Sequence, residues 1–413
     1  MLDFEVALAR AEARCGVIPG FAAAAIANAA DTPYPGGESF SLRGASAPPE
    51  FDLAELSRQA LRAGTPAIPL VRMLTARVRS ETPESAGFVH WGATSQDVTD
   101  TALILLLKQC RTVLEKDHER LLAGLHKLSE DHAHTVMLGR TLMQPAPPIT
   151  FGLKAAGWYA AVRRGWARVK SRFDETMYLQ FGGATGTLAA LGDNGITVSE
   201  ALASDLGLKV PDAPWHGYRD RLAALFAALS IYTGTLGKIA LDVSLLMQFE
   251  VGEAFEPNGD GRGGSSTMPH KRNPTASMLT IAAARRTPGL LANFLSGMLQ
   301  EQERGWLVEW PTVEGLVTAA GVALESMAEV AEGLTVDADR MRRNIDATGG
   351  AVFAERAMMM RAPKMGRDAA HSFVQQAIQG TGAPPDLLGL RDPEQYLGSA
   401  EVFRQRLLKG EQD

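Results

Sequence analysis

One short segment of the chain brings a hydroxyl, a cation and an amide close together. Ser266, Lys271 and Asn273 stand within a few positions of one another, behind a run of glycines. Removing a proton next to a carboxylate creates a dianionic aci-carboxylate, which fixed cations and hydrogen-bond donors must stabilise. A serine can act as the base for that step only if a cation and the exclusion of water stabilise its alkoxide. Because Lys271 and a closing loop would supply both, the segment predicts chemistry on a carboxylate.

The glycines of this segment, residues 256–274, allow a second interpretation. A glycine-rich loop between long helices is typical of either a lid or a linker. Composition alone favours a linker. The hydroxyl, cation and amide in its second half favour a lid over a substrate instead.

A second polar cluster lies at His90, Thr94 and Ser95. Thr94 precedes Asp97 by three positions, which is close to a capping-box pattern and predicts a helix that starts here. A functional interpretation is compatible with that one, because two hydroxyls beside the free N–H groups of a helix N-terminus suit a carboxylate.

Three further groups are less specific. Arg140, Thr141 and Gln144 lie in a proline-rich break, which is expected to end one helix and start another near Ile149. The charged residues at 219–221 and 301–304 are expected at helix ends, where such residues are usually solvated. The glycines at 182–186 lack the ending of a phosphate-binding loop, so we interpret them as a turn with a close backbone approach.

The elements that must position these groups are predicted to be helices. Apolar residues recur at spacings of three and four, which indicates an all-α fold. Long helices are expected at about 95–132, 219–250 and 275–303, and at about 1.5 Å per residue they span roughly 40 to 55 Å. Their predicted buried positions include Leu114, Leu121, Leu125 and Leu128 in the first helix and Leu222, Leu225, Leu229 and Leu236 in the second. Bundles of this length usually associate, which indicates an oligomer.

Composition excludes several classes of protein. The 413 residues are 46% hydrophobic and 21% charged, which is typical of a folded globular protein. A net charge of −6 without a basic run argues against nucleic-acid or membrane-surface binding. The eight histidines show no HExxH spacing, so no metal site is expected. Acidic residues where a secretory signal would be basic, and the lack of a long apolar run, predict a cytoplasmic protein without a membrane span.

Together these motifs resemble the fumarase/aspartase superfamily. The signature is read here at positions 264–273, and residues 90–97, 181–184, 300–304 and 392–398 match a lactone-forming branch. The resemblance implies a cofactor-free homotetramer whose active sites are each shared between three subunits and act on a small polycarboxylate. It also implies an N-terminal domain at 1–95, a long central helical bundle at 96–335 and a shortened C-terminal domain at 336–413.

The resemblance also assigns residue roles. Ser266 matches the general base and Lys271 a second catalytic residue. The implied substrate-binding residues are His90, Thr94, Ser95, Arg140, Thr141, Gln144, Ser265, Met268, Asn273 and Arg304.

One departure from the family pattern reduces the number of reactions that are expected. Where the lyases carry a histidine after Arg-Thr, this chain has Leu142. An amine-releasing lyase uses that histidine as its proton donor, which leucine cannot replace. A lactone opens to release a carboxylate, with an ordinary pKa near 4, so a general acid gives little advantage. The expected reaction is therefore intramolecular carboxylate addition. The alternatives are an adenylosuccinate-type or aspartase-type elimination, and a non-catalytic structural protein on the same scaffold.

Overall fold

Long α-helices make up most of the chain in this computed structural model, which describes residues 1–30, 51–258, 263–264, 268, 271–300, 302–303, 305, 309–379 and 392–410. The helices in chain order are α1 (Leu2–Arg14), α2 (Gly20–Ala30), α3 (Leu53–Ala63), α4 (Ala67–Glu81), α5 (Ser95–Asp131), α6 (Phe151–Thr176), α7 (Gly195–Leu206), α8 (Asp220–Leu246), α9 (Thr275–Ser296), α10 (Trp310–Gly333), α11 (Ala338–Asp346), α12 (Ala354–Met365), α13 (Arg367–Gln379) and α14 (Ala400–Lys409). The predicted all-α class is confirmed.

The chain divides into two compact units. Unit 1 comprises Met1–Val113, Lys170–Phe226 and Leu291–Glu314, and unit 2 comprises Leu114–Val169, Ala227–Leu290 and Gly315–Asp413. In unit 1, α1 packs against α2 and α7, and α4 packs against α2 and α3. A cluster of small and branched side chains, including Ile18, Ile26, Leu74 and Val78, forms a core among α1, α2 and α4.

The first two long helices follow the apolar spacing of the sequence. All eight leucines predicted to be buried in α5 and α8 are at most 7% exposed. The third helix, α9, ends at Ser296 rather than near 303. Gly297 and Met298 make tighter turns onto Phe294 and Leu295, which end the regular helical hydrogen bonding.

Helix α8 is also long and apolar enough to cross a membrane, by length and composition alone. Its most apolar window is 67% buried within the protein. That degree of burial is typical of a core helix.

The proline-rich break is a β-hairpin, which was not predicted; the helix expected near Ile149 does start there, at Phe151, whereas the preceding helix already ends at Asp131. Strands β1 (Val136–Thr141) and β2 (Gln144–Thr150) pair antiparallel. Leu142 and Met143 form a two-residue turn with φ values of 49° and 64°. Such turns normally signal themselves through Asn or Gly. The prolines lie in β2, which among the described residues pairs with β1 alone, so their missing N–H groups cost the sheet little.

A second small sheet lies directly before the glycine-rich signature segment, residues 256–274. Strands β3 (Ala254–Phe255) and β4 (Thr335–Val336) pair antiparallel. Asp337 donates its N–H to the carbonyl of Glu253, and its side chain accepts the N–H of Arg340 to cap α11. Unit 2 therefore fixes the chain just before residue 256.

Candidate active site

The predicted site residues fall into both units. Unit 1 carries His90, Thr94 and Ser95, and unit 2 carries the hairpin residues and the described part of the signature segment. Ser265, Ser266 and Arg304 lie outside the described residues.

In unit 1, the start of α5 is held by a buried carboxylate, Asp97. Its Oδ2 accepts the Thr94 N–H at 3.0 Å, as the capping-box pattern predicts. The two oxygens also accept the Gly182 and Gly183 N–H groups at 3.0 and 2.9 Å. The Gly183 φ of +67° confirms the predicted turn, and a Cβ there would lie 2.9 Å from the Gly92 carbonyl oxygen.

Two side chains complete the shell around Asp97. His216 Nε2 lies 2.7 Å from Oδ1, and Gln180 Nε2 donates to the same oxygen at 3.1 Å. Asp97, Gln180 and His216 are all at most 2% exposed. This Asp97 network joins the start of α5 to two distant loops and thereby fixes the backbone of Thr94 and Ser95.

Arg219 is buried, so the prediction that it is solvated at a helix end was wrong. Its guanidinium donates to Asp100 at 2.8 and 3.0 Å and to Glu309 at 2.6 and 3.2 Å. Burial raises the pKa of Glu309 despite the opposing charge of Arg219. Arg219 therefore uses its donors on two carboxylates and links α5, through Asp100, to the residue before α10, Glu309. These three residues, Asp100, Arg219 and Glu309, border a cavity of about 350 Å³ that is also lined by Ser95.

His90 contacts a second buried acid. Its Nδ1 lies 2.8 Å from Oε1 of Glu5, a residue only 1% exposed on α1. Burial alone would lower the pKa of the imidazole, but the hydrogen bond and charge of Glu5, together with Asp97, raise it above its ordinary value. The same helix carries Glu12, which is fully buried and whose oxygens have no hydrogen-bond partner among the described residues.

Glu12 makes the stability of the protein depend on pH. Burial, together with the nearby charge of Glu5, raises the pKa of Glu12 from 4.5 to about 8. Between these values the unfolded chain has lost a proton that the folded chain keeps, so stability falls as pH rises through this window. We expect Glu12→Gln to be more stable than wild type by about 2 to 4 kcal/mol at pH 8, with little difference near pH 4.5. Urea denaturation at both pH values measures this, and a difference independent of pH would contradict it.

In unit 2, Arg140 at the end of β1 is paired with Glu253. The guanidinium donates to both carboxylate oxygens at 2.8 and 2.6 Å, and Asn344 donates to Oε1 at 2.7 Å. Glu253 is fully buried, whereas the side chain of Arg140 keeps 27% exposure. Thr141 and Gln144 are exposed beside the turn. A cavity of about 560 Å³ is lined by Arg140 and Gln144 on one side and Asn344 and Thr348 on the other.

The described part of the signature segment is tied at its base. The Asn273 N–H donates to the Gly263 carbonyl at 2.8 Å, and the Lys271 N–H donates to that of Met268 at 3.0 Å. Gly263 has a φ of +63°, and a Cβ there would lie 2.7 Å from the Asn273 carbonyl oxygen. Only glycine suits that position. Met268 and Lys271 have exposed side chains.

Glu256 secures the helix that follows the segment. Its carboxylate accepts the N–H groups of Ala276 and Ser277 at 3.1 and 2.8 Å, which caps α9. Its carbonyl accepts a hydrogen bond from Arg272 at 2.8 Å. Sequence reasoning missed Glu5, Glu253 and Glu256, because no spacing rule links them to partners far along the chain.

Each unit taken by itself supplies groups that suit anionic oxygens, namely hydroxyls at a helix N-terminus in unit 1 and the cations Arg140 and Lys271 in unit 2. Among the described residues no group of His, Cys, Asp and Glu side chains is placed to hold a metal ion.

Comparisons with known proteins agree with this chemistry. The family model described as Lyase matches residues 2–289. A 3-carboxy-cis,cis-muconate cycloisomerase of Bradyrhizobium diazoefficiens is 43% identical, over 99% of this chain and 92% of that protein. The protein of the same name from Pseudomonas aeruginosa is 44% identical, over 99% and 90%. The crystal structure of the 3-carboxy-cis,cis-muconate lactonizing enzyme of Pseudomonas putida matches with a TM-score of 0.86 and 40% identity, covering 99% of this chain and 93% of that one.

Proposed function

Since the chain belongs to the fumarase/aspartase superfamily of enzymes, we propose that it is a cycloisomerase that converts 3-carboxy-cis,cis-muconate to 4-carboxymuconolactone. This substrate is supported by the similarity of nearly the whole chain to enzymes of that name. The reaction would place the enzyme in the protocatechuate branch of aromatic catabolism.

The proposed reaction moves one proton. An oxygen of one substrate carboxylate attacks the neighbouring double bond, and the electron pair passes into a second carboxylate to form the aci-carboxylate. Ser266 then delivers a proton to the carbon next to that carboxylate and regains one from solvent. Lys271 offsets the negative charge of the aci-carboxylate and of the serine alkoxide. The new C–O bond closes the lactone without expelling a group.

The substrate carboxylates have several donors available. Thr94 and Ser95 offer hydroxyls at the N-terminal end of α5. Thr141, Gln144 and Asn273 offer further polar groups, and Ser265, Met268 and Arg304 complete the proposed binding set. Arg140 would contribute only N–H groups that Glu253 does not occupy, because a guanidinium has five donors.

Leu142 favours addition over amine elimination. It is 97% exposed at the tip of the hairpin, between two predicted site residues. A leucine cannot protonate a departing amine, whereas a carboxylate leaving group needs no proton. Leu142 therefore disfavours an adenylosuccinate-type elimination in particular.

A homotetramer and a cytoplasmic location belong to the same proposal. Large apolar side chains are exposed on the single chain along its long helices, among them Leu106, Val113, Ile231, Leu241, Leu279 and Leu295. Such side chains are usually covered in an assembly. We also propose that each active site is shared between three subunits. The proposed domains lie at 1–95, 96–335 and 336–413.

One assay separates the candidate functions. The purified protein is mixed with 3-carboxy-cis,cis-muconate or with adenylosuccinate, and the ultraviolet absorbance of each is followed. We expect loss of the muconate signal alone. Turnover of adenylosuccinate without loss of muconate would overturn the proposal in favour of a lyase. No turnover of either compound would overturn it in favour of the non-catalytic scaffold.

A further inference from the structure

His90 stands in a strained backbone conformation immediately before the carboxylate-binding start of α5. Its φ of +61° lies in the left-handed region, which residues other than glycine rarely adopt. Gly92, with a φ of +69°, follows it. Strain of this kind persists only where surrounding contacts enforce it, and it is concentrated at functional positions. A contact that enforces it is therefore expected.

Glu5 provides that contact. Its Oε1 lies 2.8 Å from His90 Nδ1. The Glu5 side chain is fully buried and that of His90 is 19% exposed, so the pair is shielded on the acid side and open on the imidazole side. An ionised carboxylate only accepts hydrogen bonds, so Nδ1 must carry the proton. The Nε2 atom is left as the ring nitrogen available to a ligand.

We propose that Glu5 is a positioning residue, which holds His90 in one orientation and directs its Nε2 toward a carboxylate of the substrate. The inference rests on the proposed function for the identity of that carboxylate. Glu5 itself touches no reacting atom. It lies 85 positions away from His90 in sequence, so no motif connects the two.

The charged groups around the pair strengthen this role. Glu5 and Glu12 belong to α1, Asp97 lies in the first turn of α5, and the α-amino group of Met1 lies near Glu5. Of these groups, the acids Glu5 and Asp97 favour a protonated imidazole, because together they outweigh the effect of burial on the pKa of His90. A cationic His90 would donate from both nitrogens, one to Glu5 and one to the substrate.

Two substitutions of Glu5 and one control test the proposal. Glu5→Ala removes the acceptor, so we expect KM to rise about tenfold while kcat stays within about twofold. Glu5→Gln keeps an oxygen that can accept the Nδ1–H, so its KM should rise less. Glu12→Gln changes a buried acid of the same helix that does not touch His90, and its KM should match wild type. A merely structural role would reduce kcat and stability but leave KM unchanged, and that result would overturn the proposal.

A measurement independent of turnover completes the test. Diethylpyrocarbonate modifies neutral imidazoles, and peptide mass spectrometry gives the modification rate of His90 against pH, with the exposed His371 as reference. We expect the midpoint for His90 to fall in Glu5→Gln and to stay in place in Glu12→Gln. An unchanged midpoint in Glu5→Gln would overturn the inference. A lowered midpoint in a protein that does not turn over muconate would support the pairing and overturn only the proposed function.

Discussion

Replacing Ser266 by alanine is expected to lower kcat for lactone formation by about 10²- to 10⁴-fold, the range for removing a general acid or base. The expectation follows from the one-proton reaction, since no second acid is available at Leu142 to take over. The contacts at the two ends of the signature segment support a catalytic role for Ser266 within it. Asn273 and Gly263 close its base, and Glu256 fixes the helix that follows.

The control for this variant is Ser296→Ala, which makes the same change at the exposed end of α9. The Ser296 hydroxyl only donates to the Ala292 carbonyl within the helix. Its kcat should equal that of wild type. Light scattering on both variants should give the same mass as wild type, so that a lost assembly does not explain lost turnover. Near wild-type kcat in Ser266→Ala would show that another group moves the proton.

The second large effect is expected at Asp97. Replacing Asp97 by alanine removes the acceptor for the N–H groups of Gly182 and Gly183 and for the side chains of Gln180 and His216. Buried donors without partners are costly, so the free energy of unfolding should fall by about 3 to 5 kcal/mol. Thr94 and Ser95 would lose their fixed backbone, so KM for the substrate should also rise.

Asp131→Ala is the matched control, at the other end of the same helix. Asp131 is half exposed and forms an ion pair with Lys127 one turn earlier. Such surface pairs contribute little, so the change should stay within about 0.5 kcal/mol. Urea denaturation at one protein concentration compares the two variants. Equal stability of Asp97→Ala and Asp131→Ala would show that the buried network is not needed for folding.

Much of the fold could be predicted from the sequence, because apolar spacing specifies long helices directly. The start of α5 at Ser95 also followed from local chemistry, since Thr94 and Asp97 are only three positions apart. The hairpin at 136–150 could not be predicted in this way. Its turn uses Leu142 and Met143 in left-handed conformations, which no local preference of these residues favours.

The contacts that shape the candidate site were harder to foresee. Arg219 looked like a solvated helix end, but Asp100 and Glu309, distant in sequence, allow its burial. Pairing of this kind depends on tertiary structure, and a single sequence carries no spacing rule for it. The roles of the site residues stay predictions, with Ser265, Ser266 and Arg304 outside the described residues.

The proposed mechanism is tested by converting 3-carboxy-cis,cis-muconate in deuterated water and identifying the product by NMR. Ser266 exchanges its proton with solvent, so we expect 4-carboxymuconolactone with one deuterium on the carbon next to the carboxylate that formed the aci-carboxylate. Wild type should form this product, and Ser266→Ala should form it about 10²- to 10⁴-fold more slowly. A lactone without deuterium, or no conversion by wild type, would show that the proposed mechanism is wrong.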